Sequence, residues 1–196
     1  MILVVAEQKD GKLNRASWET VAAAQQLSGG STPITIAVVG QSVAGPATEL
    51  AAAAVAGVLT VEHAALAAYT TDAFVEALEQ VIAQVKPVYV LFPHTYQTRD
   101  FSPTLASRID RALVTDVTAL KTVNGASAFS RPMFQGKLVA DVVPQGPAPH
   151  LISMQIGAYR ADAASKGSAP AVVMMPHTYQ TRDFSPTLAT RMDRHG

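Results

Sequence analysis

Cysteine is missing altogether from the 196 residues, which removes disulfides, thiolate nucleophiles and Cys-ligated zinc or iron–sulfur centres from the candidate chemistry. An excess of one charge is missing too. Fifteen Lys and Arg balance fifteen Asp and Glu, and no basic run occurs. The clustered cations that neutralise nucleic acid or an anionic membrane surface are therefore not there, and neither partner is expected. The longest apolar stretch, Ala51 to Leu59, falls far short of the ~20 residues of a membrane-spanning helix. Charge arrives at Glu7, Lys9 and Asp10, too early for a signal peptide. The five histidines, at 63, 94, 150, 177 and 195, show no H-x-x-x-H or similar spacing, so no metal site is expected. No G-x-G-x-x-G is present, and Gly40 to Gly45 lacks the Lys-Ser/Thr of a P-loop. Nearly half of the chain is apolar, at 48%, which reads as a packed, soluble and cytoplasmic globular protein: one domain, or one domain with a docking tail.

Short β-branched runs alternate with alanine-rich helical stretches. Ile2 to Ala6 reads as a buried strand, followed by a helix from Ala16 to Leu27 that stops at Ser28-Gly29-Gly30. Ile34 to Val39 is a second strand, Pro46 to Ala56 a helix, and Val58 to Val61 a third strand. From Thr71 a helix carries Phe74, Leu78, Val81, Ile82 and Val85 on one stripe that must face a sheet. Val88 to Phe92 is the fourth strand, and the next helix is expected to open at Ser102-Pro103, with serine as cap and proline at the first position. This alternation predicts an α/β fold: a three-layer parallel sheet with helices on both faces and right-handed crossovers. After residue 113 the character changes. Val114 to Leu120, Ala128 to Met133, Lys137 to Val143 and Leu151 to Ile156 are strand-like with no helix between them, which predicts an antiparallel or mixed extension of the sheet. Ala161 to Ser168 is small and polar and reads as a linker.

The segment from Pro93 to Arg111 returns at Pro176 to Arg194 with only Ser107/Thr190 and Ile109/Met192 changed. The strand-like runs before each copy keep their apolar character but not their letters. Either the loop has a function, or the second copy is a recent duplication. An isolated strand–helix pair cannot bury both faces, so Ala171 to Arg194 is expected to dock on its own domain or across a homodimer. Arg99 is expected to matter more than Arg182, because only the first copy sits in a full βαβ unit.

Ligands of open parallel sheets sit beyond the carboxyl ends of the strands, beside helix N-termini. His94, Thr95, Tyr96, Gln97, Thr98 and Arg99 occupy that position after the fourth strand. Thr and Arg there suit an anion and Tyr96 suits stacking; capping and partner contact is the plainer alternative. Gly40-Gln41-Ser42-Val43-Ala44 half-resembles a nucleophile elbow, with Ala44 where the last glycine belongs. A triad would require Asp116 with His150 or His177, and Ser42 as a helix cap is the simpler reading. Arg131, before Pro132 in an apolar strand, requires an anionic partner, either a carboxylate of the same fold or a phosphate. Thr95, Tyr96, Arg99 and Arg131 are thus the candidate ligand- or partner-contact residues. No catalytic residue is assigned, and the chain reads as a carrier component more than a catalyst.

Several stretches, in this order, resemble the N-terminal domain of the electron transfer flavoprotein alpha subunit. They are Ile2 to Glu7 with Gly11-Lys12-Leu13, Ala56-Gly57-Val58 with Tyr69, Arg99 to Arg108, Thr115-Asp116-Val117-Thr118, and Arg131 to Gly136. The resemblance covers roughly residues 1 to 160. It implies an adenine-nucleotide-hydrolase-like (HUP-like) α/β domain paired with a beta subunit in a heterodimer that carries FAD, with AMP in the beta subunit. It also implies electron transport from dehydrogenases to an acceptor, with this domain as scaffold and partner surface and the flavin not held by this chain alone. The alternative is a stand-alone nucleotide-binding or regulatory module without flavin. Thr98, Thr104, Gln155 and Ile156 depart from the family pattern. The glycine-rich FAD domain expected after residue 160 is replaced by the repeated loop–helix, so no flavin contact transfers. The implied division is 1–160 for the α/β domain, 161–169 for a linker and 170–196 for the tail.

Overall fold

The computed structural model describes residues 1–167 and 172–174. In chain order the strands are β1 (Ile2–Ala6), β2 (Gln8–Lys9), β3 (Lys12–Leu13), β4 (Ile34–Gly40), β5 (Gly57–Glu62), β6 (Tyr89–Pro93), β7 (Leu113–Val117), β8 (Ala119–Val123), β9 (Ala126–Met133), β10 (Leu138–Val142), β11 (His150–Met154) and β12 (Val172–Met174). The helices are α1 (Ala16–Ser28), α2 (Ala44–Leu50), α3 (Thr71–Val85) and α4 (Tyr96–Ile109).

Seven strands form one sheet in the order β12-β5-β4-β1-β6-β11-β7, and every neighbouring pair is parallel. The central strands are apolar on both faces because both faces are covered. Ile2, Val4, Ile36, Val38, Leu91 and Ile152 pack with Trp18 and Val21 of α1 and Leu50 of α2. Leu3, Val5, Val39, Val90, Phe92 and Leu151 pack with Phe74, Leu78 and Val81 of α3 and Phe101 and Leu105 of α4. Alternate residues of one strand thus feed opposite cores, each large buried side chain contributing about 1.5–3 kcal/mol. The expected three-layer α/β architecture is what the chain adopts.

Three expectations change in detail. The helix read over Pro46 to Ala56 ends at Leu50, because the backbone beyond it finds other partners: Ala54 N–H donates to Ser165 O at 2.8 Å and Gly167 N–H to Ala52 O at 3.1 Å. The helix read from Ser102 begins six residues earlier, at Tyr96. Its cap is Thr95, whose hydroxyl accepts from Thr98 N–H at 3.1 Å. Ser102 is buried with no partner for Oγ, and Pro103 lies inside the helix on its exposed side, so the carbonyl it leaves unbonded faces water. Finally, the region after residue 113 divides. β8, β9 and β10 make a separate three-stranded antiparallel sheet, while β7 and β11 join the parallel sheet. The small sheet does the work of a crossover helix. The chain turns at Asp116, in the left-handed region at φ 61°, and Thr118 N–H donates to Ser130 O at 2.8 Å.

The segment read as a linker crosses α1. Ala164 is buried, Ser165 N–H donates to Gln25 Oε1 at 2.7 Å, and Lys166 stands over the Trp18 ring. β12 then extends the sheet beyond β5 of its own domain. The strand half of the expected tail unit is therefore docked in cis. Residues 175–196, with His177, Arg182 and the second helix-forming segment, lie outside the described residues. Among the described residues no helix is long and apolar enough to cross a membrane.

Candidate functional site

At the carboxyl edge of the sheet, Glu7 directly follows β1, and β6 ends in the turn that opens α4. Glu7 joins two helices there. Its Oε1 accepts from Asn14 Nδ2 at 2.7 Å, and Asn14 Oδ1 accepts from Ala16 N–H at 3.0 Å, at the start of α1. Its Oε2 accepts from the hydroxyl of Thr95, the cap of α4. These groups and His94, Tyr96 and Arg99 line an open cleft of about 560 Å³. Tyr96 is 88% exposed, and the Arg99 guanidinium lies 5.7 Å from its ring centroid, a cation–π contact of the exposed kind.

His94 is the inward member of the group. Its Nδ1 is 2.8 Å from Ser153 Oγ, its Nε2 is 3.9 Å from Asp116 Oδ1, and Asp116 N–H donates to the same serine oxygen at 3.2 Å. The buried serine hydroxyl, able both to donate and to accept, ties Nδ1 of His94 to the backbone N–H of Asp116, and Nε2 faces the carboxylate. Burial lowers the basicity of His94. Asp116 opposes that effect, and the positive charges of Arg99 and Arg131 reinforce it. Ser153 is fully buried, so this Ser–His–Asp set positions the turn and presents no nucleophile.

Arg131 comes from β9 and is partly buried. Its Nε is enclosed without a hydrogen-bond partner, and leaving such a group unsatisfied costs about 1–3 kcal/mol. Of the two partners the sequence leaves open, a carboxylate of the same fold is not within ion-pair distance among the described residues.

The structure thus brings Tyr96, Arg99 and Thr95 to one cleft, with Thr95 held as a cap, while Arg131 of β9 is not among the residues lining it. Among the described residues it does not assemble the Ser42 triad. Ser42 follows the carboxyl end of β4, with its N–H donating to Glu62 Oε1 at 3.1 Å. His150 opens β11 at the opposite end of the sheet, in register with Tyr89, while Asp116 faces His94. Sequence reasoning overlooked Glu7 and Ser153. Glu7 carried a signal, a charge directly after a wholly apolar strand; Ser153 sits in a strand like any small core residue.

The chain matches the electron transfer flavoprotein domain over residues 2–171. It belongs to that family. It is 33% identical over 146 residues to the electron transfer flavoprotein subunit alpha of Bacillus subtilis, a match covering 74% of this chain and 45% of that one. With the alpha subunit of Syntrophomonas wolfei it shares 31% identity over 193 residues, 96% of this chain and 60% of the other. With that of Pseudomonas aeruginosa it shares 35% over 170 residues, 86% and 52% respectively. The chain spans about half the length of these relatives.

The family's name raises the question of a flavin dinucleotide. Its pyrophosphate needs a backbone gap at a strand-to-helix turn. Beside Gly40 that space is filled: a Cβ there would fall 2.1 Å from Gln8 Nε2. Glu7 adds a carboxylate to the neighbouring cleft.

Proposed function

We propose that this chain is the α/β domain of an electron transfer flavoprotein alpha subunit, serving electron transport between dehydrogenases and an acceptor as scaffold and partner surface. The flavin, on this reading, is held by the rest of the complex, with AMP confined to a companion subunit. Residues 1–160 form the working unit, 161–169 a linker and 170–196 a tail.

The family match over residues 2–171 carries the reading. A subunit named alpha implies a companion, and a relative from Anaerotignum propionicum, 33% identical over 121 residues, is named acryloyl-CoA reductase electron transfer subunit beta. The β9–β10 hairpin supports a partner face on this chain: Phe134, Leu138 and Val139 are 70%, 60% and 63% exposed. Exposed apolar groups this close together mark contact surfaces more often than solvated ones. Electron transfer requires proximity and a tuned cofactor, not a protein acid or base.

The test is co-expression of the full chain with a beta-type electron transfer flavoprotein subunit. A complex by light scattering that carries flavin absorbance is expected, and Leu138→Asp should break it while leaving the melting temperature of the lone chain unchanged. Failure of the two chains to associate, with no flavin in either, would refute the reading.

A further inference from the structure

Independently of the electron-transfer reading, we propose that residues 176–194, the second copy of the turn and helix after β6, cover the β5–β12 end of the α3–α4 face of the central sheet within the same chain. That end of the face is open. Leu59 of β5 packs against the α3–α4 core yet is only partly buried, and Val173 of β12, its register partner, is 54% exposed. Register partners on parallel strands point to the same side of a sheet. The two residues therefore continue one apolar surface.

The first copy shows what this turn and helix do. β6 passes through His94 and Thr95 alone into α4, which lays Phe101 and Leu105 on the same face as Val90 and Phe92. The Phe92 and Phe101 rings meet edge to face, 5.5 Å between centroids. From Pro176 to Ala189 the second copy is identical to Pro93 to Ala106. Counted back from the shared proline, Val173 stands where Val90 stands. Val90, paired with Leu3, faces the α3–α4 core, and Val173, paired with Leu59, faces the same side. Strand position, side and turn sequence agree. A helix that leaves β12 as α4 leaves β6 brings Phe184 and Leu188, the counterparts of Phe101 and Leu105, over Val173 and Leu59.

The occupant is the chain's own segment and not a second copy, because the approach to β12 is moored to its own domain. Gln25 accepts from Ser165 N–H at 2.7 Å and donates to Ser165 O at 3.0 Å, and Gly167 N–H donates to Ala52 O at 3.1 Å. The tail thus continues from Met174 at the very edge it would cover, and a tethered segment outcompetes a free one through its effective concentration. The apolar stripe of an amphipathic helix gains stability by such packing, not by propensity alone.

The absence of cysteine permits a direct test on the full chain. Leu59→Cys and Val173→Cys are each labelled with N-ethylmaleimide, alone and combined with Phe184→Asp and Leu188→Asp. The two aspartates are expected to speed labelling at both positions about tenfold or more, a factor equivalent to about 1.4 kcal/mol of docking. Thr187→Asp should not, since its counterpart Thr104 lies on the exposed side of α4. Labelling of Phe134→Cys on the β9–β10 hairpin, 70% exposed, should be the same in every background. Should Leu59→Cys fail to fold, Val173→Cys, at an exposed position, still decides. Protection that holds on dilution, with a monomer by light scattering, supports docking within one chain. Labelling indifferent to the two aspartates, equal sensitivity to Thr187→Asp, or protection that appears only with dimer formation would overturn the proposal.

Discussion

Lys166 places its ammonium 3.3 Å from the centroid of the Trp18 ring, and this contact closes the strap that leads the chain from β11 of the central sheet back across α1. Trp18 in turn donates from Nε1 to Glu49 Oε1 at 2.9 Å. The indole therefore joins α1, α2 and the strap. Lys166→Gln is expected to lower stability by about 0.5–1 kcal/mol, the worth of an exposed cation–π pair. Trp18→Ala is expected to lower it by about 3–5 kcal/mol through lost core volume. Urea denaturation of the two variants checks both, and equal effects would contradict the ordering.

Thr95 has two duties, as cap of α4 and as donor to Glu7. Thr95→Val keeps the shape and removes both. A loss of about 2 kcal/mol is expected, one part from the cap and the other from an unsatisfied carboxylate oxygen. Thr95→Ser should restore most of it. Thermal unfolding followed by far-ultraviolet dichroism is the measurement, and a silent Thr95→Val would contradict the arrangement.

Two histidines, His94 and His150, have their basicity lowered, in both cases chiefly by burial. A group that binds protons more weakly when folded favours unfolding as acid is added. Its stabilising contribution is fully present above the unfolded value of 6.5 and is lost as pH falls from there toward the lower folded value. Stability should therefore rise with pH across that window, and His94→Gln should flatten part of the slope. Denaturation midpoints on both sides of the window give the answer; an unchanged slope would exclude His94 as a contributor.

Pro103 interrupts the hydrogen-bond ladder of α4 on its exposed side. Pro103→Ala restores an N–H to Arg99 O and should raise stability by about 1–3 kcal/mol, less whatever the proline gains by restricting the unfolded chain. A lowered melting temperature would show that the proline stiffens a turn the fold requires.

The parallel core was legible because its cause is local: strands such as Ile2–Ala6 must be apolar throughout when helices cover both faces, and the stripe on α3 repeats at helical spacing. The start of α4 was not. Ser102-Pro103 carries the stronger local signal, but Thr95 has Glu7, just past the distant strand β1, as a second partner, and that contact is invisible along the chain. The same reason hid the parallel return of β11: a small sheet replaced the helix that normally announces a crossover. Tyr96, Arg99 and Arg131 could be nominated by residue type and position. That Ser153 and Asp116 hold His94 between them depends on register across β7, β11 and β6, which no single segment encodes.

The carboxylate of Glu7 has a mechanical consequence. α1 lies on one face of the sheet and α4 on the other, yet the first turns of both are pinned to this single side chain through Asn14 and Thr95. Neither helix can slide along its axis without dragging the other or breaking the tie. The rim they share behaves as a hinge pin, and loosening it at one residue would free two layers at once.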